Sequence, residues 1–276
     1  MRQFTLINAN GEQYNLTERK KFLHSVKGLG FEEDNTYKQV GNKYVLLKNR
    51  KKQGEIEGQI HFNRTNAQAE YEKFVNFTQL MPITLMYKPL LRPYYRKGTI
   101  TKVEFDETDP LTVNVTFTAT TPFFEKLNVI TDPADEPLYG KQYDYTYPYT
   151  YSSAVANTVI INVDTAMESP CKLTMYGPLV NPTWRHYINN QLHSTGGIQG
   201  TIPAGNRLVI DTTGDIFTMQ QLDAANVVVA DMYQASDFGT ERAIYLQRGT
   251  NRISIEDDNN NKVTVTAEAE INYASV

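Results

Sequence analysis

Four histidines, His24, His61, His186 and His193, one cysteine, Cys171, and 31 acidic residues are the groups from which this chain would build acid–base, nucleophilic or metal chemistry. Their spacing builds none of it. No two histidines stand in the H-E-x-x-H arrangement that puts two imidazoles on one helical face for zinc, and His186 with His193 falls in a turn-rich segment with no evident third ligand. The single cysteine excludes an internal disulfide framework and a cysteine-only metal cluster, and reads instead as a small buried strand residue. GDIF and GGIQGTIPAG lack the strand-to-helix context of a phosphate loop, so Gly196, Gly197 and Gly205 read as hairpin glycines. Asp211, Asp215, Asp257 and Asp258 lack the alternating oxygen ligands and distal glutamate of a calcium loop and read as solvated turns. A carboxylate pair for glycoside hydrolysis meets only in space, so the sequence leaves it open. The expectation is a protein that is not an enzyme and uses no cofactor or metal.

Binding chemistry has two candidates. In LLKNRKKQGEIEG, Lys48, Arg50, Lys51 and Lys52 form a short basic run, but Glu55 and Glu57 follow at once, and the pI is near 5.7. A solvated hairpin tip explains the run better than a phosphate-binding patch. The second candidate is YGKQYDYTYPYTY, residues 139 to 151, in which Tyr143, Tyr145, Tyr147, Tyr149 and Tyr151 occupy every second position. Alternation puts five rings on one face of an extended segment, and Pro148 confines such a strand to an edge. The rings suit a seam between domains or subunits, because tyrosine buries a large area at low entropic cost; a ring platform for a sugar is the other reading. Trp184, the only tryptophan, is a further seam or ligand candidate, with core packing the plainer alternative.

The elements that must position these residues are nearly all strands. Phe4 and Leu6, then Asn10-Gly11, then Tyr14 and Leu16 predict a hairpin with a two-residue turn. Residues 111 to 120, LTVNVTFTAT, alternate strictly, with Leu111, Val113, Val115 and Phe117 on one face. The exception is residues 65 to 80, where Ala67, Tyr71, Phe74, Val75 and Thr78 share a helical face and Thr65 with Gln68 predicts a capping box. After residue 131, short strands recur at 158–163, 171–180, 206–211, 226–233, 243–247, 251–257 and 262–273, separated by turns. That spacing predicts a β-sandwich or jelly roll.

Residues 1–130 hold 19 Lys/Arg against 14 Asp/Glu, and residues 131–276 hold 8 against 17. The change of sign lies beside the tyrosine stretch and predicts two domains, 1–135 and 136–276. The N-terminal MRQFTLINANGEQYNLTERKK has no apolar h-region, and no stretch approaches the roughly 20 apolar residues that span a bilayer, so synthesis in a cytosol is expected.

The order of motifs resembles the distal tail protein family of long-tailed, non-contractile phages and prophages. It runs from GEIEGQIHFNRTNAQAEYEKFVNFTQL through PITLMYKP, YYRKGTITKVEFDE, LTVNVTFTATTPFF, YDYTYPYTY and SPCKLTMYGPLVNPTW to IPAGNRLVIDT and YLQRGTNRISI, essentially the whole chain. Its G-x-L-x-I-D element is one residue longer here, from Gly205 to Asp211. The resemblance implies a mainly β protein: an N-terminal β-rich domain with one α-helix that assembles six copies into a ring, and an outward C-terminal galectin-like sandwich. It implies a structural baseplate component at the virion tail tip, joining the tail tube protein to the tail-tip hub protein, with DNA only in transit and no catalysis. Receptor-binding proteins or a cell-surface saccharide are the implied outer partners, and sugar binding through the sandwich is the alternative function. Within that frame, residues 31–53 suit an arm reaching a neighbouring copy, with Lys48, Arg50, Lys51 and Lys52 on it.

Overall fold

A computed structural model describes residues 2–105, 108–131, 157–259 and 262–276. Among these the chain is mostly strand, with one α-helix, Ala67–Thr78, and one short 3-10 turn, Tyr233–Ala235. No described helix is long and apolar enough to cross a membrane. Two compact units are present: residues 1–125 together with 272–276, and residues 126–271. The boundary expected between residues 135 and 136 falls outside the described residues, as does the tyrosine stretch from Tyr143 to Tyr151.

The first unit is an antiparallel sheet that curls on itself. Its path runs Gln13–Asn15, Gln3–Ile7, Ile83–Lys88, Tyr94–Phe105, Thr112–Ala119, Glu55–Phe62, Lys21–Lys27, Thr17–Glu18. The first and last strands of that path are separated in the chain by Leu16 alone, so the sheet has to bend round until its ends meet. Leu16 stitches them, donating its amide to Phe4 O at 2.8 Å and accepting from Leu23 N at 2.9 Å. Alternation along Glu55–Phe62 and Thr112–Ala119 drives one face inward, burying Ile56, Ile60, Phe62, Val113, Val115 and Phe117. The helix lays Phe74, Phe77 and Thr78 onto this core. Tyr14 receives both rings, at 5.4 Å from Phe74 and 5.4 Å from Phe77, and its hydroxyl donates to Glu70 O at 3.3 Å. Complete burial of a phenylalanine such as Phe74 stabilises by about 2–3 kcal/mol.

Two local expectations are corrected here. The first hairpin turns through residues 8–12, not through two residues: Asn8 Oδ1 accepts from the Asn10 and Glu12 amides, and only Gly11 takes positive φ. The helix begins after Asn66, without a side-chain cap; the Thr65 amide instead donates to Asn63 Oδ1, and Gln68 reaches forward to Glu72. A local Asx turn at Asn63 thus takes the place of the capping box.

The second unit holds two antiparallel sheets, each with one buried face. One runs Val265–Tyr273, Ser169–Tyr176, Arg207–Asp211, Thr218–Leu222, Val228–Asp231; the other runs Thr158–Val163, Gly249–Glu256, Thr183–Ile188, Gln191–Gly197. Cys171, Leu173, Met175, Leu208, Ile210, Val265 and Ala267 on the first and Val159, Ile161, Trp184, Ile253 and Ile255 on the second form its buried faces, as in a β-sandwich. The segment with His186 and His193 is a hairpin with a β-bulge opposite His186 and Tyr187, not a turn-rich stretch. Asn189 and Asn190 both adopt positive φ, the geometry of a tight hairpin turn that asparagine tolerates. Gly196 is likewise no turn glycine: it sits in a strand where a Cβ would collide with the Trp184 indole.

Candidate functional site

One element of the first unit stands apart from its sheet. Glu33–Val40 and Lys43–Lys51 pair only with each other, and nearly every residue of both strands is exposed. Eight to nine extended residues make an arm about 27 Å long. Its base is built to hold one direction. At Gly28, with φ of +83°, a Cβ would strike the Glu55 carbonyl oxygen, and at Gly54 it would strike the Arg96 guanidinium. Lys52 N donates to Glu32 O at 2.8 Å, Gln53 Nε2 to Ala119 O at 3.0 Å, and Ala119 N to Gly54 O at 2.8 Å. Arg96 beneath is 7 % exposed, donates from Nε to Thr121 O at 3.0 Å and lies 4.8 Å from the Phe123 ring centroid. Burial lowers its pKa below the usual arginine value.

The arm is divided along its length. At the base the register sets Glu33 opposite Lys51 and Asp34 opposite Arg50, so two cations of the basic run meet acids directly across the ladder, while Lys48 lies opposite Thr36. Toward the tip the pairs are Tyr37 with Leu46, Lys38 with Val45, and Gln39 with Tyr44, followed by Gly41 at the turn. Tyr44 is 71 % exposed and Leu47 is 61 % exposed, and Tyr37, Val40, Val45 and Leu46 are also open to solvent. Lys48, Arg50 and Lys51 therefore lie on the return strand toward the base, with Lys52 just beyond it and bonded to Glu32 at 3.0 Å, and not at a hairpin tip. Sequence reasoning picked out the charges and missed the apolar end. The signal was KYVLL, an apolar run without alternation in an otherwise polar hairpin, which no single-sheet burial explains.

Elsewhere the predicted candidates separate. Trp184 is fully buried in the second unit. His186 is also fully buried, with Nε2 3.0 Å from Asn251 Oδ1, and burial lowers its pKa. His193 lies edge-on at 5.5 Å, and no group of three metal-ligating side chains occurs among the described residues.

Residues 3–120 match the family described as distal tail protein, N-terminal domain. This part of the chain is similar to a distal tail protein domain. It contains the curled sheet from Gln3 to Ala119, the helix and the whole arm. No curated protein matches the sequence. Solved structures extend the likeness to the full length. A chain of the phage P2 baseplate in its activated conformation with Ca matches with a TM-score of 0.67 at 15 % identity, covering 100 % of both chains. The same baseplate with Sr gives 0.66 at 15 % identity, again over 100 % of each chain. The SPP1 Dit protein, described as a paradigm of the hub adsorption apparatus in phages infecting Gram-positive bacteria, gives 0.65 at 8 % identity over 97 % of this chain and 98 % of its own. At these identities the likeness shows a shared fold, and the fold is that of distal tail and baseplate proteins.

Proposed function

We propose that this chain is the ring-forming hub of a phage tail tip, joining the tail tube protein to the tail-tip hub protein and serving as attachment platform for host-adhesion components. It acts as a structural virion part, made in the host cytoplasm, without catalysis. Six copies, as the family resemblance implies, close through heterologous contacts made within residues 1–135, and residues 136–276 point outward. The observation that carries this reading is the arm: a detached hairpin with an apolar end gains stability only when another surface covers it. The likeness to a distal tail protein domain and the baseplate-like fold support it from an independent side.

The test is the mass of the purified full chain by light scattering over a concentration series, with and without tail tube protein, followed by negative-stain imaging. A closed ring of six is expected. A monomer at every concentration, with and without the tube protein, rules the ring out.

A further inference from the structure

The apolar arm end needs a receiving surface, and the same unit carries one. A cleft of about 760 Å³ opens beside the strand Lys21–Lys27, lined by Phe4, Leu16, Phe22, Leu23 and Val26 and also by the charged Arg2, Glu18 and Arg19. Its floor is firm: Phe4 stacks on Tyr87 at 4.9 Å, and Leu16 is 2 % exposed. Its wall is open, since Phe22 leaves 39 % of its surface to solvent. The short strand Thr17–Glu18 pairs with Lys21–Lys27 only at Phe22 and Lys21, so from His24 onward that strand is paired by described strands on its Glu55–Phe62 side alone. Ser25 takes φ of 53° there and bends the strand. A largely apolar trough beside such a strand is shaped for an extended apolar segment.

We infer that this cleft is the socket for the arm end of a neighbouring copy, filled by Tyr44 to Leu47. The inference rests on the ring reading above and supplies its partner surface. Geometry excludes the chain's own arm. Val26 lines the cleft only two residues before Gly28, at the arm base, whereas the arm end lies about 27 Å away along a continuous ladder. To reach its own cleft the arm would have to break the pairing that forms it. Socket at one end and plug at the other make a head-to-tail contact, the kind that closes by rotation. The rival plug is the loop between Ile83–Lys88 and Tyr94–Phe105, where Leu90 is 78 % and Leu91 is 88 % exposed. The ladder that pairs Gln3 with Lys88 ends just before this loop, and none of the loop's residues lines the cleft.

Two full-length variants test the inference. Leu47→Glu with Tyr44→Glu spoils the plug, and Phe22→Glu spoils the socket. Each alone should weaken self-association by at least about 30-fold, as expected when a buried apolar anchor is lost. Mixed one to one, they should form a two-chain complex and nothing larger, because only one intact plug meets one intact socket. That mixed dimer also shows that both variants are folded; Val26→Asp serves as a second socket variant. Wild-type assembly by the socket variants overturns the inference while leaving the ring intact. Loss of assembly in a Leu90→Ser, Leu91→Ser variant with the socket variants unaffected overturns it in favour of the loop. A wild-type chain that stays monomeric even with tail tube protein removes the ring reading and the socket together.

Discussion

Asp34 faces Arg50 directly across the arm's ladder, and Glu33 faces Lys51 one step nearer the base. With Lys52 bonded to Glu32 as well, three of the four cations that look like a phosphate patch in the sequence stand beside acids, and Lys48 stands opposite Thr36. In the proposed ring such an arm would offer DNA in transit little to hold.

The full chain should therefore bind a 30-base-pair duplex more weakly than about 100 µM at physiological salt, the loose end of non-specific binding. Fluorescence anisotropy reads this directly. Asp34→Ala with Glu33→Ala should raise the affinity; micromolar binding by the unaltered chain, lost steeply with salt, would show that the cross-strand pairing does not neutralise the run.

His186 makes the second unit sensitive to acid. Burial holds its folded pKa below the ordinary 6.5, so the folded form keeps the ring neutral while the unfolded chain takes up a proton. The contribution is fully present above the unfolded value, declines as pH falls through it, and levels off below the folded pKa. Urea midpoints of the second unit's transition should drop between pH 7.5 and 5.5, and the drop should be smaller in His186→Gln. An equal drop in both proteins would assign the acid sensitivity to other groups.

Gly196 lies under Trp184 with no room for a side chain, whereas nothing stands within 4 Å of a Cβ at Gly205, where only φ of +83° resists substitution. Gly196→Val should cost about 2–3 kcal/mol through overpacking against the indole, and Gly205→Ala about 1 kcal/mol through backbone strain. Denaturant titrations followed by Trp184 fluorescence compare them; equal costs at the two sites would contradict the packing.

Cys171 is completely buried, and burial pushes its thiol up to about 12. A thiol-exchange reagent should leave it unmodified in native buffer and modify it fully in denaturant, with the native rate set by opening of the sheet. Modification within seconds under native conditions would be incompatible with the strand Ser169–Tyr176 as described.

Much of this was readable from residue pattern alone, and the failures share a cause. The strand at Thr112–Ala119 and the helix at Ala67–Thr78 have one buried face each, so their periodicity announces them. The hairpin with His186 and His193 hides because its turn is Asn-Asn, without the glycine that usually marks such turns. Gly196 resembles a turn glycine because the indole that demands it is 12 positions away in sequence. The Thr65 cap failed because Asn63 competes for the same amide. The arm's charges were visible, but their pairing with Glu33 and Asp34 depends on register, and its apolar end packs on nothing that a local pattern could signal.

The return of residues 272–276 to the first unit has a temporal side. Tyr273 and Val276 pack against that unit's core, and Tyr273 meets the Tyr94 ring edge-on at 5.3 Å and donates to Glu125 at 3.2 Å. These residues leave the ribosome only after the whole of residues 126–271. The first unit therefore stays unfinished throughout translation of the second, and a growing chain cannot present a completed first unit to its neighbours. A product that stops short of Tyr273 carries a first unit with a defective core.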